Sequence, residues 1–408
     1  MSKIRLLYLT EEAWPTYRPD IAALFGKYLP RDGIISDMVT DSGPGAAHAS
    51  ALWHGGATLL CSVKGGAIGR HVIKFWHNVS VMLRCKRHEY DAIQVRDMPA
   101  TALVGLIIAR VKKMPFFYWM SFPQSEGQVI RAKARGFRAG LRYWFPLIQG
   151  TLGKWLLYRV VLRCANHVFA QSDQMVRDLV ARGVDASRMT SVPMGVDLEV
   201  TRPHLVTESQ DERLAGKSVI VYLGTLDRTR SIDLLFHMLA MVRAEMPEVV
   251  LVLAGDTEDA AHRDWLRQEA SRIGVMESIL WTGWLPTHEA LSYVRAAQVG
   301  LSPFPRGYLL DSASPTKAME YMALGIPVVV NDNPDQMNVV QQANCGLCVE
   351  LSASAFAQAV VTLLRDPVRR KKMGAAGEHY VRQNRGYDRL AVHVASSYKS
   401  FLKKPAVA

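Results

Sequence analysis

The sequence predicts an α/β protein with two domains, each organised around a parallel β-sheet. At 408 residues the chain exceeds one ordinary domain of about 150 residues. Short apolar runs alternate with longer amphipathic ones, first from residue 3 and again from residue 218. This alternation is typical of βαβ units, whose strands run parallel. The predicted divisions are an N-terminal domain at 1–203, a linker at 204–217, a C-terminal domain at 218–385, and a helix at 386–408 that packs back toward the N-terminal domain.

Five apolar runs in the first half have the length and composition of strands: 3–10, 32–40, 90–96, 114–120 and 166–171. Helical patterns such as 18–29 and 99–113 lie between them. No G-x-G-x-x-G motif follows the first run, so a nicotinamide dinucleotide domain has no support. In the second half, strand and helix patterns alternate to residue 350, and helices complete the chain.

Basic residues are concentrated in the first half of the chain. Residues 1–200 contain 26 Lys+Arg and 15 Asp+Glu, a balance of +11, which leaves only +1 of the net +12 for the remainder. Between 128 and 164, arginine and lysine alternate with Trp, Tyr and Leu, a composition typical of segments at an anionic membrane surface. The alternative is a pair of helices that cover the sheet, with arginines at their rim. Nucleic-acid binding is not favoured, because no recognition module accompanies the charge.

Cysteine usage and hydropathy predict a cytoplasmic protein, peripheral at most to the inner face of a membrane. The start does not resemble a signal peptide, and no apolar run reaches about 18 residues. Five cysteines are an odd number, which fits a reducing compartment. Cys345 and Cys348 form a C-x-x-C pair, but the two further ligands of a zinc site are missing, and the pair does not precede a helix as a redox pair would.

The stretch 302–331 has the pattern of an anion-binding helix start followed by a buried strand. Ser314 is a suitable N-cap, Pro315 suits the first helical position, and Gly325 suits the helix end. Such a start presents free N–H groups and the positive end of the helix dipole beside Thr316 and Lys317. Glu320 lies roughly 7 to 8 Å further along the helix, a spacing that fits phosphates and hydroxyls of one nucleotide sugar. The alternative is an ordinary capped helix with solvated charges.

Four loops of the second half are predicted to meet at one edge of its sheet. Gly224 and Gly255 directly follow strands, at the carboxyl ends where α/β sheets bind ligands. Arg228 and Arg230 follow the first of these strands, where guanidinium groups could hold a diphosphate bidentately. Convergence with the helix start after Ser314 favours this interpretation over solvated loop charges.

These motifs resemble glycosyltransferase family 4, whose members are retaining enzymes with the GT-B fold. The resemblance rests on VYLGTLDRTRSIDLL, LVLAGD, TGWLP and SPTKAMEYMALGIPVVV, in that order, and extends to HVFAQSDQMVRDLVARGVDASRMTSVPMGVD in the first half. It implies two facing Rossmann-like domains with a catalytic cleft between them, the second holding a nucleotide-sugar donor and the first an acceptor.

The resemblance also implies roles for individual residues. Arg230 occupies the position of the lysine that binds the donor diphosphate, and Arg228 is a second candidate for that role. Glu320 matches the second glutamate of the E-x7-E pattern, which binds the ribose. Trp284 and Leu285 fall in the loop that contacts the base, and Thr316 and Lys317 face the phosphates.

Several positions depart from the family pattern. Ser312 occupies the position of the first glutamate, with Asp311 beside it as a substitute, and Thr225 replaces the usual arginine after the phosphate-loop glycine. The histidine that many relatives carry in the first domain is absent, which leaves Ser121, Glu126 and Asp197 as acceptor-side candidates.

We expect an enzyme that transfers a sugar, with retention, from a UDP-, GDP- or similar nucleotide sugar to a glycan or lipid-linked acceptor. No D-x-D pair occurs in a suitable loop, so neither a metal nor another cofactor is expected; arginines and a helix start can stabilise the departing diphosphate. The alternatives are an epimerase of similar architecture and a non-catalytic subunit that binds a nucleotide sugar or acts as a scaffold.

Overall fold

The computed structural model describes residues 3–16, 18–43, 53–61 and 67–402, and the chain divides into two compact units. Unit 1 consists of Met1–Met194 and Tyr387–Ala408, and unit 2 consists of Gly195–Gly386. The division falls at Met194, whereas the predicted boundary is residue 203. Val196 and Leu198 explain the difference, because both side chains are buried in the core of unit 2.

Seven parallel strands form the sheet of unit 1 within the described ranges, in the order β3-β2-β1-β4-β5-β6-β7. Their bounds are β1 Ile4–Leu9, β2 Ile34–Asp41, β3 Thr58–Cys61, β4 Ala92–Arg96, β5 Phe116–Met120, β6 His167–Ala170 and β7 Met189–Ser191. Every residue of β4 and β5 is buried, which is expected of strands that helices cover on both faces. The five predicted strand runs are confirmed, and the edge strand β3 was not predicted.

Helices cover both faces of this first sheet. The longer ones are α1 Ala67–Arg84, α2 Pro99–Val111, α3 Gln124–Arg135, α4 Leu141–Leu156 and α5 Asp173–Ala181. A π-helix, Asp20–Tyr28, covers the face of the sheet opposite to α1, α2 and α5. The C-terminal helix Tyr387–Leu402 also belongs to unit 1, where Tyr398 packs among Phe117 and Phe169.

Six parallel strands form the sheet of unit 2, in the order β10-β9-β8-β11-β12-β13. Their bounds are β8 Ser218–Leu223, β9 Val249–Ala254, β10 Ile279–Trp281, β11 Val299–Ser302, β12 Val328–Asn331 and β13 Gly346–Val349. The helices of this unit are α6 Asp233–Glu245, α7 Ala260–Ile273, α8 Thr287–Arg295, α9 Tyr308–Asp311, α10 Thr316–Ala323, α11 Pro334–Ala343, α12 Ala353–Arg365 and α13 Pro367–Asn384; the C-terminal helix of unit 1 is α14 Tyr387–Leu402. The predicted α/β class with two parallel sheets is confirmed.

Each sheet contains one point at which the chain order of the strands reverses. In unit 1 the reversal lies between β1 and β4, and in unit 2 it lies between β8 and β11. Ligands of open α/β sheets bind at the carboxyl ends of the strands at such a point. The topology therefore identifies one place in each unit to search for a site.

Candidate functional site

A cavity of about 370 Å³ lies at the carboxyl ends of β8 and β9, beside the start of α10. Its lining contains most of the donor-site residues predicted from the sequence. The lining residues are Leu223, Gly224, Thr225, Arg230, Ala254, Gly255, Trp284, Leu285, Thr287, Ala290, Leu291, Thr316, Lys317 and Glu320.

Two glycines let the backbone of the strand ends approach each other closely in this cavity. Gly224 has φ +124° and Gly255 has φ +146°, values that residues with a side chain rarely adopt. A Cβ on Gly255 would lie 2.1 Å from the carbonyl oxygen of Gly224, and a Cβ on Gly224 would lie 3.0 Å from Cε of Lys317. Glycine at both positions therefore keeps the floor of the cavity open.

Helix α10 begins one residue later than the sequence predicted. Pro315 is the N-cap, with extended dihedrals, and Thr316 is the first helical residue. Ser314 does not cap the helix; its hydroxyl donates to Oδ2 of Asp335 at 2.7 Å, and Asp335 is paired with the buried Arg385. The prediction of a Ser314 cap is wrong because the helix begins one residue later, so that Pro315 occupies the N-cap position and Ser314 precedes it. The first N–H groups of the helix consequently have no side-chain cap.

Arg230 lines the same cavity as the helix start and carries two donors without a hydrogen-bond partner. Its Nε and Nη1 atoms are buried and form no hydrogen bond with any residue that the structure describes. The guanidinium carbon lies 4.8 Å from the centre of the Phe304 ring, which positions the planar group without using its N–H donors. A buried guanidinium with free donors requires an anionic or polar partner.

Lys317 and Glu320 lie three residues apart on α10, and the charge of each affects the pKa of the other. Burial, and to a smaller extent the nearby charge of Arg230, lower the pKa of Lys317 to about 7, although the charge of Glu320 opposes both effects. Burial likewise raises the pKa of Glu320 to about 7, against the stabilising charge of Lys317. Solvent reaches Glu320 through the cavity, but protein surrounds the carboxylate on its other sides. An anion bound near Lys317 would restore the charged ammonium.

The side chain of Trp284 is 55% exposed, although it lines the cavity together with Leu285. An exposed indole at the rim of a polar cavity can stack on a planar group such as a nucleobase. On the opposite side of the β8 loop, the hydroxyl of Tyr222 donates to the carbonyl of Thr225 at 3.0 Å and fixes that turn.

Arg228 and Asp311, both predicted to act in the site, do not line the cavity. Arg228 is paired with Asp259, with Nε 3.1 Å from Oδ2. Asp311 accepts hydrogen bonds from Nε and Nη2 of Arg306 at 2.7 and 3.1 Å. Ser312, at the position of the first family glutamate, is buried and donates to the carbonyl of Leu309. The geometry thus gives no carboxylate in place of that glutamate among the lining residues.

Sequence reasoning missed the aromatic residues that support the site. Besides Phe304, these are Tyr222, whose ring centre lies 5.0 Å from Nζ of Lys317, and the fully buried Tyr321. None of the three was singled out in the sequence. The signal that could have identified Tyr321 is its hydroxyl, because a buried tyrosine usually needs a hydrogen-bond partner.

A second, smaller cavity of about 190 Å³ lies in unit 1 at the reversal between β1 and β4. It is lined by Thr10, Glu11, Glu12, Arg96, Asp97 and Gln124. Arg96 is buried, with Nη1 2.8 Å from Asp20, while its Nη2 forms no hydrogen bond within the described part of the chain. Burial raises the pKa of Asp97, although the charge of Arg96 opposes this shift. Burial also raises the pKa of Glu11, against the charge of Lys74.

The three acceptor-side candidates from the sequence have different surroundings. Ser121 donates its hydroxyl and its backbone N–H to Asp97, beside this second cavity. Glu126 is buried and accepts from Tyr158 at 2.6 Å and from Arg182 at 3.1 Å, so it has a structural environment. Asp197 belongs to unit 2, where Oδ1 accepts from the N–H of Glu199. Only Ser121 is thus in contact with residues of a cavity.

Two features, a membrane-spanning helix and a metal-binding cluster, are absent from the residues that the structure describes. No helix there is both long and apolar enough to cross a membrane. No group of three or more His, Cys, Asp or Glu side chains is arranged to hold a metal ion in the same ranges.

Comparisons with protein families match both units. Residues 217–366 match the family described as glycosyl transferases group 1, and residues 22–195 match the glycosyl transferase 4-like domain. The two matches together cover most of the chain and follow the two sheets.

Two curated relatives have names that describe glycolipid synthesis. The chain is 24% identical over 64% of its length to alpha-monoglucosyldiacylglycerol synthase of Streptococcus pneumoniae. It is 29% identical over 52% of its length to the GDP-mannose-dependent alpha-(1-6)-phosphatidylinositol monomannoside mannosyltransferase of Mycobacterium tuberculosis. The chain spans 56% and 55% of the lengths of these relatives.

A solved structure shares the fold over nearly the whole chain. Anabaena HepE, crystallised with UDP and glucose, superposes with a TM-score of 0.72 and 15% identity, covering 97% of this chain and all of HepE. At this identity the likeness shows the fold alone.

Proposed function

Because the chain belongs to glycosyltransferase family 4, with the GT-B fold, we propose that it transfers a sugar from a nucleotide diphosphate sugar to a lipid-linked acceptor, with retention of the anomeric configuration. The donor binds in the 370 Å³ cavity of unit 2. Names of relatives that include GDP-mannose, and a fold relative crystallised with UDP, support a UDP- or GDP-sugar.

One observation carries the donor assignment: unpaired cationic and N–H donors meet in a single cavity. Arg230 brings two free guanidinium donors, and the uncapped start of α10 brings backbone N–H groups beside Lys317. A diphosphate satisfies all of them, because it is anionic and presents several acceptor oxygens. The alternative of an ordinary capped helix is not supported, since Ser314 does not cap α10.

The remaining lining residues fit the nucleoside. Glu320 lies one helical turn beyond Lys317 and can accept hydrogen bonds from ribose hydroxyls. Trp284 and Leu285 offer an apolar surface for the base. Ser312 and Asp311 form hydrogen bonds with other residues, so neither takes the place of the first glutamate of the family pattern. Specificity for the sugar then depends on other groups.

In the proposed reaction, the bond between the sugar C1 and the β-phosphate oxygen breaks while the acceptor oxygen bonds C1 on the same face. The acceptor proton passes to the departing diphosphate, so no protein base is consumed. Arg230, Lys317 and the start of α10 stabilise the charge that develops on the leaving oxygens. Because these three groups are cationic or dipolar, the proposed mechanism requires no metal ion.

For the acceptor we propose the 190 Å³ cavity of unit 1. Glu11 and Asp97 can accept hydrogen bonds from hydroxyls, and Arg96 has a free donor for an anionic or hydroxyl group. A polyhydroxylated lipid headgroup has this combination of groups. Relatives whose names include glycolipid products support a lipid-linked acceptor.

Nucleotide binding is tested with a thermal-shift panel of UDP-, GDP- and ADP-sugars. A ligand at 100 times its Kd should stabilise the protein by about 2.7 kcal/mol. Arg230→Gln should weaken binding of the best ligand at least about tenfold, since charge-assisted hydrogen bonds contribute about 1.5–3 kcal/mol. Arg228→Gln is the matched control and should leave the affinity almost unchanged, because Arg228 pairs with Asp259 outside the cavity. Equal affinities for both variants and the wild type would refute the donor site.

Transfer itself is tested by incubating the best donor with lipid extracts and determining the anomeric configuration of the product by NMR. A product of inverted configuration would refute the proposed mechanism. Epimerised sugar from donor alone would instead support the epimerase alternative, and binding without turnover on any lipid would support a non-catalytic subunit.

A further inference from the structure

Helix α4 presents a row of large apolar side chains to solvent. Leu141, Phe145 and Ile148 are 85%, 64% and 62% exposed, and Trp144, Leu152 and Trp155 are each more than half exposed. At about 100° per residue, these six positions fall within an arc of about 100° on one side of the helix. Soluble surface helices normally turn such a row toward the core. We call these six side chains, together with the exposed Phe137 just before the helix, the α4 stripe.

The opposite side of α4 is the side that packs against the protein. Gly150 is the buried residue of this helix, and it lies half a turn away from Leu141. A Cβ on Gly150 would lie 2.7 Å from the carbonyl oxygen of Ser125, and one on Gly153 would lie 2.6 Å from Oγ of Ser125. Two glycines thus bring α4 against α3, and this close packing fixes the apolar stripe outward. Helix α2, which packs against α4, adds the exposed Ile107 and Val111.

The stripe is embedded in the most basic part of the sequence. Residues 98–164 contain 11 Lys+Arg and one acidic residue, Glu126, so this segment accounts for +10 of the net charge of +12. Glu126 is buried and paired with Arg182. Exposed basic side chains flank the stripe: Arg131, Lys133, Arg135, Arg138, Arg142 and Arg159.

We infer that the α4 stripe and these flanking basic residues dock on an anionic lipid bilayer, with α4 lying in the plane of the interface. The combination of Trp, Phe and Leu on one side of a helix with Arg and Lys around it matches the chemistry of that interface. Trp144 and Trp155 lie toward opposite ends of the stripe, and indole rings are enriched at membrane interfaces. At 16 residues, with Pro146 inside it, α4 is about 24 Å long and lies on the bilayer rather than crossing it.

Charge complementarity favours a lipid surface over a protein partner or a second copy of this chain. A second copy would place the same excess of arginines face to face, and like charges repel at that distance. Anionic headgroups instead neutralise the basic rim while acyl chains receive the stripe. This inference goes beyond the proposed function, because it concerns a surface of unit 1 and not the donor cavity of unit 2.

The inference is tested by sedimentation with vesicles of phosphatidylcholine alone and of phosphatidylcholine with one-third phosphatidylglycerol. We expect binding to the anionic vesicles, weakened at high salt because the Debye length shortens. Trp144→Ser with Phe145→Ser should lower the partition coefficient at least tenfold. Leu205→Ser with Val368→Ser, at exposed apolar positions of unit 2, should leave it unchanged.

Charge is tested with Arg138→Gln and Arg142→Gln together, which should lower partitioning about 25-fold at low salt, or about fivefold for each residue. Lys371→Gln with Lys372→Gln removes the same charge from an exposed helix of unit 2 and is the control. The proposal would be overturned if the wild-type protein stayed in the supernatant. It would also be overturned if the serine variants sedimented as the wild type does. Self-association that the serine variants abolish would overturn it in favour of a second copy. The nucleotide thermal shift, measured without vesicles, keeps this outcome separate from the donor assignment.

Discussion

The hydroxyl of Tyr321 joins two strand ends of unit 2 at the donor cavity. It accepts a hydrogen bond from the N–H of Leu223 at 2.7 Å and donates to the carbonyl of Leu301 at 3.2 Å. Leu223 is the last residue of β8 and lines the cavity directly before Gly224. Gly300 on β11 leaves room for the ring, since a Cβ there would lie 2.4 Å from Cδ2 of Tyr321. One buried side chain of α10 therefore fixes the start of the loop that lines this cavity.

Replacing Tyr321 by phenylalanine should weaken both folding and donor binding. The N–H of Leu223 would lose its partner in a buried place, at a cost of about 1–3 kcal/mol. We expect a lower melting temperature and a several-fold larger Kd for the nucleotide sugar, measured by calorimetry. Tyr380→Phe is the control for donor binding, because the Tyr380 hydroxyl interacts with Gln342 and Arg385, neither of which lines the cavity, and this variant should leave the Kd unchanged. A Tyr321→Phe protein that binds donor as the wild type does would show that the loop is held by other contacts.

Lys317 should lower the stability of the unliganded protein. Its pKa is about 7 in the folded protein but near 10.5 in the unfolded chain, so the unfolded state binds more protons between these values. The free energy of unfolding therefore rises with pH from about 7 to 10.5. Below pH 7 the buried ammonium is charged, and its burial lowers the stability by the full amount. Lys317→Met should raise the stability by roughly 1 to 3 kcal/mol at pH 6 and by almost nothing above pH 10.5.

Thermal melting of the Lys317→Met variant across this pH range measures the effect. Lys371→Met, at an exposed position of α13, is the matched control and should melt as the wild type does. A Lys317→Met protein less stable than the wild type at pH 6 would show that the ammonium has a partner that compensates its burial.

Donor affinity should be greatest near pH 7. An anion favours the charged form of Lys317, so binding requires uptake of a proton above pH 7 and weakens as the pH rises. Hydroxyl donors favour the carboxylate of Glu320, so binding requires loss of a proton below pH 7 and weakens as the pH falls. Each limb should approach a tenfold change per pH unit at most. Calorimetry with a nucleotide sugar, whose phosphates do not titrate in this range, gives the profile.

The two limbs can be assigned with separate variants. Lys317→Met should remove the alkaline limb alone, and Glu320→Gln should remove the acid limb alone. A profile that is flat between pH 5 and 9 in the wild type would contradict both assignments.

The sequence predicted the sheets, and the loops that meet at the cavity of unit 2, because both depend on local patterns. Apolar runs that end in Gly224 and Gly255 identify strand ends, and strand ends of parallel sheets meet. The orientation of side chains within a loop is not local. Arg228 and Arg230 are two residues apart in one turn, yet Arg228 pairs with Asp259 while Arg230 lines the cavity. The local pattern does not separate these two arginines, and only the family resemblance gives Arg230 the position of the diphosphate-binding lysine.

Long-range contacts account for other differences between prediction and structure. Ser314 has the ideal chemistry for a helix cap, but Asp335 and Arg385, distant in sequence, bind its hydroxyl. Asp311 could replace a missing glutamate by its position, but Arg306 holds its carboxylate. A prediction from sequence cannot weigh such competing partners, because they meet only after the chain has folded.

Removal of divalent metal ions should leave sugar transfer unchanged. In the proposed mechanism, Arg230, Lys317 and the start of α10 stabilise the charge on the leaving diphosphate, and no carboxylate other than Glu320 lines the cavity. Activity with and without EDTA, on protein passed over a chelating resin, measures the dependence. Lost activity that Mg²⁺ or Mn²⁺ restores would show that a metal ion takes part in stabilising the diphosphate.

Gly255 should tolerate alanine far less than Gly274 does. Both have positive φ, +146° and +81°, so alanine strains the backbone at each. At Gly274, in the C-cap of α7, a Cβ meets nothing within 4 Å, and the cost should be the strain of about 1–2 kcal/mol. At Gly255 the Cβ would also overlap the carbonyl of Gly224, which must then move toward Lys317 and narrow the cavity. Gly255→Ala should therefore lower the melting temperature more than Gly274→Ala does. It should also abolish the nucleotide thermal shift, which Gly274→Ala should leave intact. Equal behaviour of the two variants would contradict the close approach of the strand ends at Gly224 and Gly255.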